Sequence, residues 1–140
     1  MSVLRWTASA IGAAWVYAAA AKVVDPEPGY EMIATLVAGG PPARIALGAV
    51  IALEAGLGAA MLLGLVRGFA CSLAMIGTLS AAAWWVSEHT GPWMRCGCLG
   101  GDGTVAEALS RNVWIAGALA LLLAVDLVAR RRRAPTPGRA

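Results

Sequence analysis

Four long apolar runs divide the chain, and the stretches between them are rich in glycine, proline and charge. A helix crossing the hydrocarbon core of a bilayer needs about 20 mostly apolar residues. The first run extends from about 4 to 24, with Arg5 and Lys22 near its two ends. The second extends from about 45 to 66 and holds one internal charge, Glu54. Arg67 and Gly68 interrupt the pattern before the third run, about 69 to 86; the fourth spans about 113 to 129, with Asp126 near its end. Apolar residues fall on all sides of these segments instead of forming one stripe, as in helices surrounded by lipid and by one another. The pattern predicts an all-α integral membrane protein, a four-transmembrane-helix bundle. Between the first two spans, Asp25-Pro26-Glu27-Pro28-Gly29 stops the first helix. Tyr30 to Ala38, apolar at Met32, Ile33, Leu36 and Val37, then suits a short interfacial helix, ended by Gly39-Gly40-Pro41-Pro42. Small residues at Ala18 to Ala21 give the first run some likeness to a cleavable signal. Its positive n-region is only Arg5 and its apolar stretch is long enough to span, so a retained helix is expected.

Composition supports the same class. Of 140 residues, 59% are hydrophobic and 14% charged, with a mean hydropathy of +0.71. Soluble domains average about 45–50% apolar and about 25% charged. A disordered arm, a nucleic-acid-binding tail and a large soluble enzyme are excluded. The net charge of +3 says less than its placement. With the first helix starting in the cytoplasm, that side holds seven basic residues (Arg5, Arg67, Arg130 to Arg133 and Arg139). The opposite side holds four, Lys22, Arg44, Arg95 and Arg111, together with Asp25, Glu27, Glu31, Glu88, Asp102 and Glu107. The excess of arginine predicts cytoplasmic termini. The expected organisation is one membrane domain over 1–130 and a basic cytoplasmic tail, disordered, over 131–140. The arginine run reads as a topology anchor beside anionic headgroups, so the expected partner is the lipid bilayer and not nucleic acid.

The outer segment from Ser87 to Arg111 carries most of the candidate chemistry: the lone histidine, His89, and two of the three cysteines. Cys96-Gly97-Cys98 would face an oxidising compartment, where disulfides persist. A bond across one residue closes a small ring that Gly97 makes accessible. Such a bond removes little chain entropy, whereas strained, exposed disulfides are the labile ones used in exchange. The comparison favours a redox pair over a structural bond. Arg95 precedes the pair and is a candidate stabiliser of a thiolate. His89 reads more simply as a loop residue. A zinc or cuprous site using Cys96, Cys98 and His89 is the rival, although the spacing departs from structural zinc patterns and no second ligand cluster exists. Cys71, roughly 20–25 Å from the loop along the third helix at about 1.5 Å per residue, is expected to be a buried structural cysteine.

Polar groups inside the membrane complete the candidates. Glu54 should lie near mid-membrane, where an ionisable residue marks a functional or bundle-locking position; Lys22 is its candidate partner. Small residues around it, Ala55-Gly56-Leu57-Gly58, permit close helix approach. Asp126 is expected to partner the arginine run. Trp84, Trp85 and Trp93 read as an aromatic belt at the outer boundary, with the wall of a quinone pocket as the alternative.

The chain resembles the MauE family, methylamine-utilisation membrane proteins grouped with DoxX-like four-helix membrane proteins. The resemblance rests on Ala21-Lys22-Val23-Val24-Asp25-Pro26, on Glu54 with Gly58, on Cys96-Gly97-Cys98-Leu99-Gly100 and on Arg111-Asn112, expected to open the fourth helix. It covers the whole length apart from the arginine-rich tail. The family typically shows Cys-Gly-Cys-Phe-Gly, so Leu99 is a departure that leaves the sulfur chemistry untouched. The resemblance implies thiol–disulfide handling outside the cytoplasm, beside a thioredoxin-like partner that matures the disulfide-rich small subunit of methylamine dehydrogenase. With both termini cytoplasmic, the cysteine loop is expected to face the periplasm or its equivalent, in a bacterial inner membrane. A quinone is a candidate cofactor for recycling the pair, but no second periplasmic cysteine pair exists for an internal relay, which points to an obligate partner. Two alternatives stay open. One is a non-enzymatic assembly or binding protein with a structural loop disulfide; the other is a metal or small-solute carrier.

Overall fold

The computed structural model describes residues 2–37, 39–65, 68–96 and 103–131. It is all-helical, with α1 (Ser2–Val24), α2 (Glu27–Leu36), α3 (Gly40–Leu62), α4 (Phe69–Thr90) and α5 (Val105–Arg131). Four of these are long and apolar enough to cross a membrane: Leu4–Val24, Gly40–Leu62, Phe69–Thr90 and Val105–Ala129. The expected four-span bundle with a short helix after the first span is present.

Several boundaries differ from the sequence expectation. Pro41 and Pro42 do not close the preceding helix; they lie in the first turn of α3, which runs from Gly40 to Leu62 instead of 45 to 66. The first-turn amides of a helix have no partner within it, so proline, which lacks one, is well placed there. Pro28 does the same for α2, so only Asp25 and Pro26 separate α1 from α2. The fourth spanning helix starts at Val105, not 113. Thr104 and Glu107 form a capping box: the Thr104 N–H donates to Glu107 Oε2 (2.8 Å) and the Glu107 N–H donates to Thr104 Oγ1 (3.3 Å). Arg111 and Asn112 therefore sit inside the helix and do not open it.

α1 packs along α3, α4 packs along α5, and α2 lies against α3 and α4 at one end. Glycine sets the α1–α3 spacing. A Cβ at Gly58 would lie 2.6 Å from Gly12 O and 2.8 Å from Val16 Cγ2, so the two backbones touch. One core cluster, Ala8, Trp15, Met61, Phe69, Ile76 and Leu119, joins the helices toward the end that carries the α3–α4 turn. Within it the Trp15 indole N–H donates to Ser72 Oγ at 2.9 Å. Between α4 and α5, Asn112 Nδ2 donates to Ser80 Oγ at 3.0 Å, which satisfies both groups where lipid offers no partner.

Cys71 is exposed and free, contrary to the expectation of a buried residue. The inward face of α4 is taken by Phe69, Ser72, Ile76, Ala83 and Val86. Cys71 instead lines an apolar groove beside Leu53, Gly56, Ala74 and Thr78. Asp126, expected to partner the arginine run, is 2% exposed and buried against protein. Arg132, Arg133 and the rest of the tail lie outside the described residues.

Candidate functional site at the loop end of the bundle

The C-terminal end of α4, the N-terminal end of α5 and the short α2 meet at the end of the bundle that carries the cysteine loop. The backbone closes this loop on itself. Arg95 pairs with Thr104 in an isolated antiparallel bridge. The Cys96 N–H donates to Gly103 O (2.8 Å) and the Val105 N–H to Met94 O (2.9 Å). The Ala106 N–H donates to Pro92 O at 3.1 Å. Together with the capping box, these bonds use the first-turn amides of α5 that a helix leaves without internal partners.

Cys96 is disulfide-bonded and only 3% exposed. It sits in a second core cluster with Met32 of α2, Ala83 and Val86 of α4, and Val105 and Ala108 of α5. Its Sγ lies 3.8 Å from Met32 Sδ. A disulfide sulfur carries no proton, so this is a packing contact between two polarisable atoms and not a hydrogen bond. The apolar side of α2 is thus turned partly onto protein: Pro28, Gly29 and Met32 are buried. Cys98, Leu99 and Gly100 lie outside the described residues. Arg95 is exposed beside Cys96.

His89 belongs to the last turn of α4 and is not a loop residue. Its ring stacks on Trp85 (centroids 3.9 Å apart), with Nδ1 2.8 Å from Trp85 O. Among the described residues no group of three His, Cys, Asp or Glu side chains is placed to hold a metal ion. Trp84, Trp85 and Trp93 are all exposed.

A second polar feature lies between α1 and α3. Lys22 Nζ donates to both oxygens of Glu54 at 2.8 Å, and the two residues are 4% and 0% exposed. Lys22 stands in the last turn of α1, from which a lysine would ordinarily reach out to the interface. Here Nζ turns back toward Ala18 O, at 3.5 Å, and into the bundle. Asp25 and Arg111 are exposed and take no part in this pair. The residue that sequence reasoning missed is Met32. Its place on the apolar face of α2 was visible, but not that this face would cover a cysteine 64 residues away.

A sequence model of the family described as Methylamine utilisation protein MauE matches residues 1–129. No curated protein and no solved structure matches the chain.

Proposed function

The chain belongs to the MauE family of methylamine utilisation proteins and is a multi-pass membrane protein, and from that premise we propose that it exchanges disulfides with a thioredoxin-like partner through Cys96 and Cys98. A partner thiolate attacks one sulfur of the Cys96–Cys98 bond, forming a mixed disulfide and releasing the other sulfur. The partner's second thiolate then attacks the mixed bond. The partner leaves as a disulfide and this chain as a dithiol, so two electrons and two protons move from partner to chain; the reverse sequence reduces the partner. The loop lies on the periplasmic side of the inner membrane with both termini cytoplasmic, as the arginine distribution favours. Arg95 contributes positive charge beside the pair, which favours the thiolate form of an attacking or leaving sulfur. In methylamine utilisation, the disulfide-rich small subunit of methylamine dehydrogenase is the fitting end substrate.

The observation that carries this reading is the backbone clamp around the disulfide-bonded Cys96. The bonds Cys96 N–H to Gly103 O and Val105 N–H to Met94 O already join the two ends of the loop. A covalent bond enclosing one further residue adds little restraint on the unfolded chain. As a staple it would be redundant; as an exchangeable bond it has a use.

The test uses purified protein in nanodiscs and a reduced thioredoxin-fold dithiol protein, whose oxidation is followed by thiol-specific mass tagging. The natural chain is expected to oxidise one equivalent of the probe. Cys96→Ala, Cys98→Ala and the double variant are expected to oxidise none, and Cys71→Ser to behave as the natural chain. A probe that stays reduced with the natural chain, or full activity in the double variant, overturns the proposal.

A further inference from the structure

A cavity of about 390 Å³ lies between the start of α2 and the first turns of α3, lined by no residue of the cysteine loop. Its walls change character along α3. Glu27 and Tyr30 of α2 and Arg44 of α3 make one end polar; Leu47, Gly48 and Ile51, one and two turns further along α3, make the other apolar. From this gradient we infer that the cavity seats one phospholipid with a primary ammonium headgroup, as in phosphatidylethanolamine. The phosphate sits at Arg44 and Tyr30, the ammonium at Glu27, and an acyl chain runs along Leu47, Gly48 and Ile51. The inference is independent of the exchange chemistry proposed for the cysteines.

The walls are held in place by contacts of their own. A Cβ on Gly29 would lie 3.1 Å from Leu47 Cδ1, so α2 rests directly on α3. The Gly40 N–H donates to the Tyr30 hydroxyl at 3.2 Å, which fixes the ring and leaves the phenol proton to donate to an acceptor.

Charge and depth both select the occupant. Arg44 and Glu27 line one cavity yet form no ion pair, with each other or with any other of the described residues. Opposite charges that share a cavity without closing on one another suit a ligand carrying both signs. A phosphate accepts charge-assisted bonds from the guanidinium, and an ammonium donates to the carboxylate. The 23 residues of α3 cover about 35 Å, against about 30 Å of hydrocarbon, so Arg44 in its second turn stands at the boundary where phosphates lie. Leu47 is buried and Ile51 half-buried below it, at the depth of the acyl chains. Asp25 and Glu31, near Glu27 in sequence, are exposed and add to the carboxylates at this end. A net-anionic headgroup such as phosphatidylglycerol meets them with no cation of its own. Phosphatidylcholine brings a cation, but its methylated nitrogen has no N–H to donate. A water-soluble phosphoethanolamine gains nothing from the apolar end.

The experiment uses the full chain in detergent and an equimolar mixture of phosphatidylethanolamine, phosphatidylglycerol and phosphatidylcholine with the same acyl chains. Lipid retained by the protein is read by native mass spectrometry. Phosphatidylethanolamine adduct is expected to exceed each of the others severalfold. Arg44→Gln is expected to lower it by on the order of tenfold, the scale of losing a charge-assisted bond. Glu27→Gln is expected to keep lipid bound but to remove the preference for phosphatidylethanolamine. Gly48→Leu tests the apolar end: nothing lies within 4 Å of a Cβ there, so the added side chain disturbs no packing while it fills the path of the acyl chain. It is expected to lower the adduct severalfold with an unchanged circular dichroism spectrum. Excess glycerophosphoethanolamine, which has the headgroup and no acyl chain, is expected not to displace the lipid. Equal retention of the three lipids, a preference for phosphatidylglycerol, or no retained lipid overturns the inference. So does an adduct indifferent to Arg44→Gln, a preference that survives Glu27→Gln, or displacement by the soluble headgroup. Arg44 and Glu27 are exposed, so their variants keep the fold and the comparison stands on them.

Discussion

Lys22→Met is expected to cost about 3–5 kcal/mol of stability, the usual consequence of removing one partner from a buried ion pair. The carboxylate it strands is Glu54, which is 0% exposed and far from either end of α3. Glu54→Leu is expected to cost less. It strands Lys22 instead, in the last turn of α1, where the long side chain can turn away from Ala18 and reach the headgroups. The double variant Lys22→Met/Glu54→Leu is expected to lie within about 1 kcal/mol of the natural chain, because well-packed apolar groups commonly replace a buried pair without loss. Unfolding in mixed detergent micelles, followed by circular dichroism, measures all three. Equal costs for the two single variants, or a double variant no better than Lys22→Met, would contradict the inward-turned lysine as the reason for the pair.

Gly58→Leu is expected to have the second large effect, a loss of about 1–3 kcal/mol or more from overpacking. The added Cβ meets backbone, Gly12 O at 2.6 Å and Val16 N at 2.9 Å, and backbone cannot rotate aside as a long side chain would. Separating α1 from α3 would also lengthen the 2.8 Å contacts between Lys22 and Glu54, so the two losses couple. Gly56, on the same helix, has nothing within 4 Å of the corresponding position. Gly56→Ala is therefore expected to be neutral or stabilising, by up to about 1 kcal/mol from helix propensity. The contrast between the two glycines, measured by the same unfolding assay, separates close packing from a general intolerance of substitution.

What was legible in the sequence follows from how each feature is encoded. The first span needed only an apolar run ended by Asp25-Pro26, and its limits match α1. The α3 and α5 starts are hidden in the composition, because Pro41-Pro42 and Thr104-Val105-Ala106-Glu107 resemble loop although both are helix-opening signals. The buried face of a spanning helix is not written in its polarity, since lipid and protein are both apolar to it, and the exposure of Cys71 is therefore not legible in the sequence. Lys22 and Glu54 were found because charges in a span are few and must pair. Met32 over Cys96 was beyond reach: the contact joins segments 64 residues apart, and methionine on a short amphipathic helix suits lipid as well as it suits protein.

The central claim, that Cys96 and Cys98 exchange disulfides and are not a staple, is tested most directly by the reduction potential of the pair. The purified Cys71→Ser chain is equilibrated against graded thiol–disulfide buffers, acid-quenched and resolved by mass tagging. Exchange proteins of the thioredoxin type fall between about −120 and −270 mV, and structural disulfides below about −300 mV. A midpoint inside the first range is the predicted result. A midpoint below about −300 mV, with the pair oxidised throughout the buffers that poise a thioredoxin-like partner, would contradict it.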